Sequence, residues 1–136
     1  MSKVVVGDTD SIIALAYEVD PNHEKAEKIS RKLRSKGYQV IYPNTVIVEA
    51  ITTLKRGLNL PERAQYVNQQ YQKGTFNIEY INEEIMRKAS QIFDKTVSKK
   101  NTFFDAIVAA TAENLEADAI FSFDDWYPKL GLKLLT

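Results

Sequence analysis

Val4-Val5-Val6-Gly7-Asp8-Thr9-Asp10-Ser11 is the stretch that decides the architecture: an unbroken β-branched run closed by a glycine and an acid. A strand that does not alternate between apolar and polar residues is apolar on both faces. Such strands lie inside parallel sheets, where helices cover both sides. An acid closing a buried strand is costly unless something uses it. In parallel α/β sheets the carboxyl ends of the strands face the ligand crevice. Asp8 is therefore the first candidate site residue, with helix capping as the competing structural reading.

Working outward, Ser11 to Tyr17 is apolar enough for a helix, and Asp20-Pro21 reads as an N-cap followed by proline in the first helical position. The helix so opened runs to about Ser35 and stops at Gly37. Ala26, Ile29 and Leu33 form one side, Lys25, Lys28, Lys32 and Lys36 another, with Glu24–Lys28 and Glu27–Arg31 spaced for i,i+4 pairing. Val40-Ile41-Tyr42 is a second strand, and Asn44 a cap for a helix to about Leu58. Pro61 opens a helix to about Lys73, Phe76 to Ile81 alternates like a strand, and Glu83 to Val97 has helical spacing. Thr102 opens a helix through Asn114, Ala119-Ile120-Phe121 is a strand, and Leu132 to Leu135 a candidate edge strand. Strands alternating with one or two helices predict an α/β fold, a three-layer α/β/α sandwich with a mainly parallel central sheet. Residues 1–136 read as a single domain.

Composition removes most chemistries. The apolar share is 44% and the charged share 26%, ordinary for a globular protein. No apolar run approaches the roughly 20 residues of a membrane span, and Met1-Ser2-Lys3 does not open a signal peptide, so a cytoplasmic location is expected. There is no cysteine, hence no disulfide and no thiolate nucleophile or metal ligand. Five separated glycines form neither a dinucleotide-binding motif nor a P-loop. His23 is the single histidine, which rules out two-histidine and histidine-zinc mechanisms. It reads as a packing or capping residue at a helix start. Net charge is zero, which argues against wrapping long duplexes but permits a local basic patch. Carboxylates and hydroxyls remain, the ligands that Mg²⁺ and Mn²⁺ prefer.

Four acids sit at informative positions. Glu49 shares a polar helical stripe with Thr45, Thr52, Thr53 and Arg56, opposite a core stripe of Ile47, Ala50, Ile51, Leu54 and Leu58. Asp105 completes a capping-box pattern with Thr102. Asp124, followed by Asp125, lies just beyond the strand Ala119 to Phe121. Read singly, Glu49 has a solvated reading and Asp105 a capping one.

Taken in order, the pieces resemble the PIN-domain family, the nuclease fold of many VapBC-type toxins. They are Asp8-Thr9 after a strand, Glu49-Ala50 within a helix, Phe104-Asp105-Ala106 opening an alanine-rich helix, and Ser122-Phe123-Asp124 after the last strand. Asp20-Pro21-Asn22-His23-Glu24-Lys25-Ala26 matches a common pattern of the second helix. Two departures are Asp10, where the family more often has Asn, Ser or Thr, and Asp125, where a basic residue is common. The resemblance implies a divalent-metal-dependent endoribonuclease acting on single-stranded RNA, using Mg²⁺ or Mn²⁺, with an antitoxin as a separate chain and a homodimer as the assembly. It implies Asp8 and Asp105 as direct ligands, Glu49 and Asp124 as ligands through water or for a second metal, and Thr9 and Ser122 as supporting donors. Arg56, Lys99 and Lys100 are candidate RNA contacts, Tyr42 and Trp126 candidate base-stacking or core residues, and Tyr66, Tyr71 and Tyr80 candidate interface aromatics.

Two other readings compete. A haloacid-dehalogenase-like phosphatase also begins strand-D-x-D, matched by Asp8-Thr9-Asp10, and would make Asp8 a covalent nucleophile. It leaves Glu49 and Asp105 without a role. A non-catalytic RNA-binding PIN-like module would keep the fold without the activity.

Overall fold

Val5 and Val6 are both fully buried, and because successive strand residues face opposite sides of a sheet they enter two different hydrophobic clusters. The strand that carries them, β1 (Val4–Gly7), is central in the computed structural model, which describes residues 3–135. Met1, Ser2 and Thr136, and with them the N-terminal reading, lie outside the described residues. β1 pairs in parallel with β2 (Gln39–Pro43) on one side and β4 (Ala119–Phe121) on the other. β3 (Asn77–Glu79) pairs with β2, giving the all-parallel order β3-β2-β1-β4. The tail forms a single parallel bridge, Leu134 with Ile120, and not the edge strand expected over Leu132 to Leu135.

Helical layers cover both faces of this sheet, giving the three-layer sandwich expected. On one face, Ala26, Ile29 and Leu33 of α2 (His23–Ser35) and Ala14 of α1 (Thr9–Ala16) pack on Val5 and Phe121. On the other, α3 (Asn44–Thr52), α4 (Pro61–Gln72) and α6 (Phe103–Asn114) pack on Val6, Tyr42 and Ile120. Outside α6 lies α5 (Glu83–Asp94), joined to it through Ile85, Ala89, Ala106, Ile107 and Ala110. A helix packed on two sides needs small side chains for close approach, and every residue of α6 from Ala106 to Ala112 is buried.

The crossovers carry the chain from β1 to β2 and from β2 to β3, then back to the opposite side of β1 at β4. Strand order therefore reverses between β1 and β4, and ligands in such sheets bind beyond the carboxyl ends at that reversal. Asp8 and Asp124 leave the sheet there, and the Asp8 amide donates to the Phe121 carbonyl at 3.1 Å. Gly7 is required for steric reasons: a Cβ on it would lie 2.1 Å from Cε1 of Tyr42, whose ring covers the end of β1.

Local readings differ from the expectation at four points. The second helix begins at His23, not Pro21, because Asp20 closes a turn instead: its Oδ1 accepts the Asn22 amide at 2.8 Å and its carbonyl the His23 amide at 2.9 Å. Asn44 begins α3 without capping it, since its Oδ1 accepts the Ile81 amide at 2.8 Å and ties the end of the β3 segment to the helix. The third helix winds as a π-helix from Thr53 to Gly57, which shifts its phase; Leu54 stays buried while Leu58 leaves the core stripe and is 45% exposed. Glu27, spaced for Arg31, faces His23 instead (Nε2 at 3.4 Å), while His23 Nδ1, 2.7 Å from the Ala14 carbonyl, joins α1 to α2 in the packing role expected of it.

Candidate metal centre

Asp8 occupies the N-cap of α1 and is buried. Its Oδ1 accepts the Thr9 amide at 2.7 Å; its Oδ2 accepts Ser122 Oγ at 3.0 Å and the Tyr127 hydroxyl at 2.7 Å. The capping reading and the site reading are thus both realised in one residue. Burial first, then the neighbouring charge of Asp10, push its carboxyl up to about 8.

Asp10, in the first turn of α1, belongs to the same cluster. Its Oδ2 accepts Ser122 Oγ at 3.1 Å and the Phe123 amide at 2.9 Å, while its Oδ1 is buried with no hydrogen-bond partner among the described residues. Burial raises its pKa to about 6 against those two hydrogen bonds, with Asp124 and Asp105 adding to the rise. Ser122 has one hydroxyl proton and two carboxylate acceptors, so when both acids are ionised one of them is left short of a donor.

The other three acids come from three further elements. Glu49 reaches the cluster from α3, half-buried, and its Oε1 accepts the Thr9 hydroxyl. Burial is the main cause of its raised pKa, and the charge of Asp105 adds to it. Asp105, in the first turn of α6, accepts the Thr102 amide at 2.9 Å, as its capping pattern requires. Its pKa is also raised, first by burial. Asp124 accepts the Trp126 amide at 3.0 Å. The Asn101 side chain links the last two, Nδ2 donating to Asp124 at 2.8 Å and to Asp105 at 3.3 Å. Its orientation is set by the carboxylates, which only accept, and by Ser98 Oγ, which donates to its Oδ1 at 2.7 Å.

The structure brings Asp8, Glu49, Asp105 and Asp124 to one end of the sheet with Thr9 and Ser122 between them. Asp124 rather than Asp125 enters this network; Asp125 is exposed. Lys100 Nζ, on an exposed side chain, lies 3.8 Å from the largely buried Asp124, a long contact at the limit of an ion pair. Arg56 and Lys99 are exposed on the surface. Tyr42 is a core residue whose phenol burial pushes up to about 12, not a free stacking platform.

Sequence reasoning passed over Asn101 and Tyr127. Asn101 looks like a loop residue before a helix cap, and Tyr127 like a hydrophobic neighbour of Trp126. Neither carries a local signal, because each acts on residues far along the chain.

The cluster suits a hard divalent cation. Its donors are all oxygens, its acids raise one another's pKa values, and a buried carboxylate oxygen of Asp10 has no partner. Among the described residues no three of these acids already present their oxygens to one coordination point. Thr9, Ser122, Tyr127 and Asn101 hold those oxygens instead, so a cation would exchange for some of these hydrogen bonds.

Comparison with known proteins agrees with this fold. A family model described as PIN domain matches residues 5–131. No curated protein matches the sequence. A solved structure of Mycobacterium tuberculosis VapC20, described as a sarcin-ricin-loop-cleaving toxin, superposes with a TM-score of 0.81 at 18% identity, covering 96% of this chain and 98% of that one. FitAcB from Neisseria gonorrhoeae superposes with a TM-score of 0.72 at 18% identity, covering 97% and 96%. A toxin–antitoxin complex from Klebsiella pneumoniae superposes with a TM-score of 0.60 at 19% identity, covering 88% and 86%.

Proposed function

This chain belongs to the PIN-domain family, and from that premise we propose that it is a divalent-metal-dependent endoribonuclease, the toxin of a VapBC-type pair. The observation that carries this reading is the meeting of Asp8, Asp10, Glu49, Asp105 and Asp124 at the strand-order reversal, with the Asp10 Oδ1 buried and unpartnered. The substrate is single-stranded RNA and the ion Mg²⁺ or Mn²⁺, matched to an all-oxygen donor set. Solved relatives described as a toxin and as a toxin–antitoxin complex support an antitoxin as a separate partner chain. Tyr66, Tyr71 and Tyr80 are exposed, with Tyr71 and Tyr80 hydroxyls 3.2 Å apart, and supply aromatic surface for a homodimer.

Asp8 and Asp105 would hold the ion directly, with Glu49 and Asp124 completing the site through water or at a second ion. When bound, the ion supplies Lewis acidity, which makes a water a better nucleophile and offsets charge on the phosphodiester. Thr9 orients Glu49 and Asn101 fixes Asp105 against Asp124, so two neutral donors set the positions of three acids. Glu49, less buried than Asp8, would take a proton from the attacking water at its carboxylate. Tyr127 and Ser122 supply the hydrogen bonds that favour the ionised form of Asp8 in a buried setting.

The test is incubation with single-stranded RNA and Mg²⁺ or Mn²⁺, with and without EDTA, beside Asp8→Asn. The expected result is internal cleavage that disappears with chelation and with the substitution. No cleavage of any of several RNAs with either ion would overturn the proposal.

A further inference from the structure

Next to the acid cluster, the end of α5, the loop after it and the C-terminal 3₁₀ turn (Tyr127–Leu130) enclose an open hollow of about 350 Å³. Its walls are apolar: Ile92, Leu130 and Trp126. Its rim is cationic, with Lys95 and Lys129 lining it and Lys99 and Lys100 following on the same loop. Val97, also in the lining, is 97% exposed, an aliphatic side chain left without a partner at the mouth. Apolar walls with a rim of positive charge suit a flat ring attached to an anionic backbone. The volume is in the range of small-ligand sites, which begin near ~300 Å³.

One covalent link and one hydrogen bond tie this hollow to the acids. Trp126 forms part of its wall, and the next residue, Tyr127, donates its hydroxyl to Asp8 at 2.7 Å. The Trp126 and Tyr127 rings are in edge contact, 5.3 Å between centroids. On the other side, Ser98 lines the hollow and holds Asn101, whose amide bridges Asp105 and Asp124. The Trp126 amide also donates to Asp124 at 3.0 Å, so residues lining the hollow are bonded to, or one residue removed from, the groups that hold the acids.

We infer that this hollow is a nucleotide subsite, taking an unstacked base of the RNA strand adjacent to the phosphodiester at the acid cluster, with Lys95 and Lys129 on the flanking phosphates. The inference rests on the nuclease reading for its substrate class, but not for its test. Recognition here is by shape and apolar contact. The Thr96 hydroxyl is engaged with the Ile92 carbonyl and that of Ser98 with Asn101, so neither is a free donor to a base. The subsite is accordingly tolerant of base identity.

Trp126 is the single tryptophan of the chain, so its emission reports on the hollow. The experiment titrates the full chain, in EDTA, with a short single-stranded oligoribonucleotide and with its abasic counterpart, which keeps the backbone charge and lacks the bases. A saturable change in Trp126 emission with the complete strand is expected, with the abasic strand binding about tenfold more weakly. Lys95→Ala/Lys129→Ala, both on the exposed rim, weakens both strands. Leu130→Phe, which narrows the hollow, brings the complete strand down to the abasic affinity. In cleavage assays both variants raise KM about tenfold with little change in kcat. Equal affinities for the two strands, or an unchanged KM in both variants, would overturn the subsite while leaving the nuclease reading standing. Base-dependent binding without cleavage would keep the subsite and overturn the nuclease reading.

Discussion

Replacing Asp8 by Asn should stabilise the metal-free protein relative to the native chain, and metal should shrink or reverse that advantage. The folded state pushes the Asp8 carboxyl from 3.8 to about 8, chiefly by burial. A carboxyl raised in this way contributes stability that is fully present below its unfolded value and is lost as pH rises through the folded one. Between those limits each pH unit removes up to about 1.4 kcal/mol. Asn at this position is neutral, keeps an oxygen for the Thr9 amide, and presents an NH₂ that Ser122 and Tyr127 hydroxyls can accept. In EDTA the variant should therefore match the native chain near about pH 4 and exceed it by roughly 2–4 kcal/mol near neutral pH. For a chain of this size that is a rise in Tm of about 10 °C. With Mn²⁺ at ~100 times its Kd the native chain gains about 2.7 kcal/mol that the variant does not, which narrows or reverses the gap. Thermal unfolding across the pH range, with EDTA and with Mn²⁺, reads both effects. A difference that stays flat with pH in EDTA would refute the reasoning, since it would mean that burial does not perturb Asp8.

Gly7→Ala should cost about 2–3 kcal/mol in chemical denaturation, because the new methyl meets the Tyr42 ring at 2.1 Å; Gly7→Ala/Tyr42→Leu should recover part of that loss. Tyr127→Phe removes the hydroxyl bond to Asp8, so its carboxyl rises further and Mn²⁺ affinity near neutral pH should fall several-fold by calorimetry, less so as pH increases. Asn101→Ala unties Asp105 from Asp124, and metal-dependent cleavage should drop about 10–100-fold with the fold retained by circular dichroism.

The layered fold was legible because it rests on local patterns. Val4 to Val6 announces a strand buried on both faces, and Ala106 to Ala112 announces a helix that others can approach closely. The four acids were legible as an ordered set, each placed just past a strand or in a helix turn. The rest depends on contacts that only folding creates. Tyr127 meets Asp8 across 119 positions of sequence and Asn101 meets Asp124 across 23, so no window of sequence holds both partners. Asp10 was visible as an extra acid, but its share in Ser122 was not. Asp20 and Asn44 misled for a related reason: a turn closed by Asp20 and a tie to Ile81 outcompeted the capping roles that both residues favour. The π-helix at Thr53–Gly57 has no signature in composition, and with it went the prediction that Leu58 would be core.

Four of the clustered carboxylates also accept a backbone amide: Asp8 from Thr9, Asp10 from Phe123, Asp105 from Thr102 and Asp124 from Trp126. The same atoms thus fasten the chain and gather negative charge, and the two duties separate under mutation. Asparagine preserves the fastening and discards the charge, whereas alanine loses both. A lineage released from selection for cleavage can therefore drift through Asp-to-Asn changes without unfolding. Silent descendants of this chain should carry asparagine at these four positions far more often than alanine, a record in their genomes of which duty was dropped first.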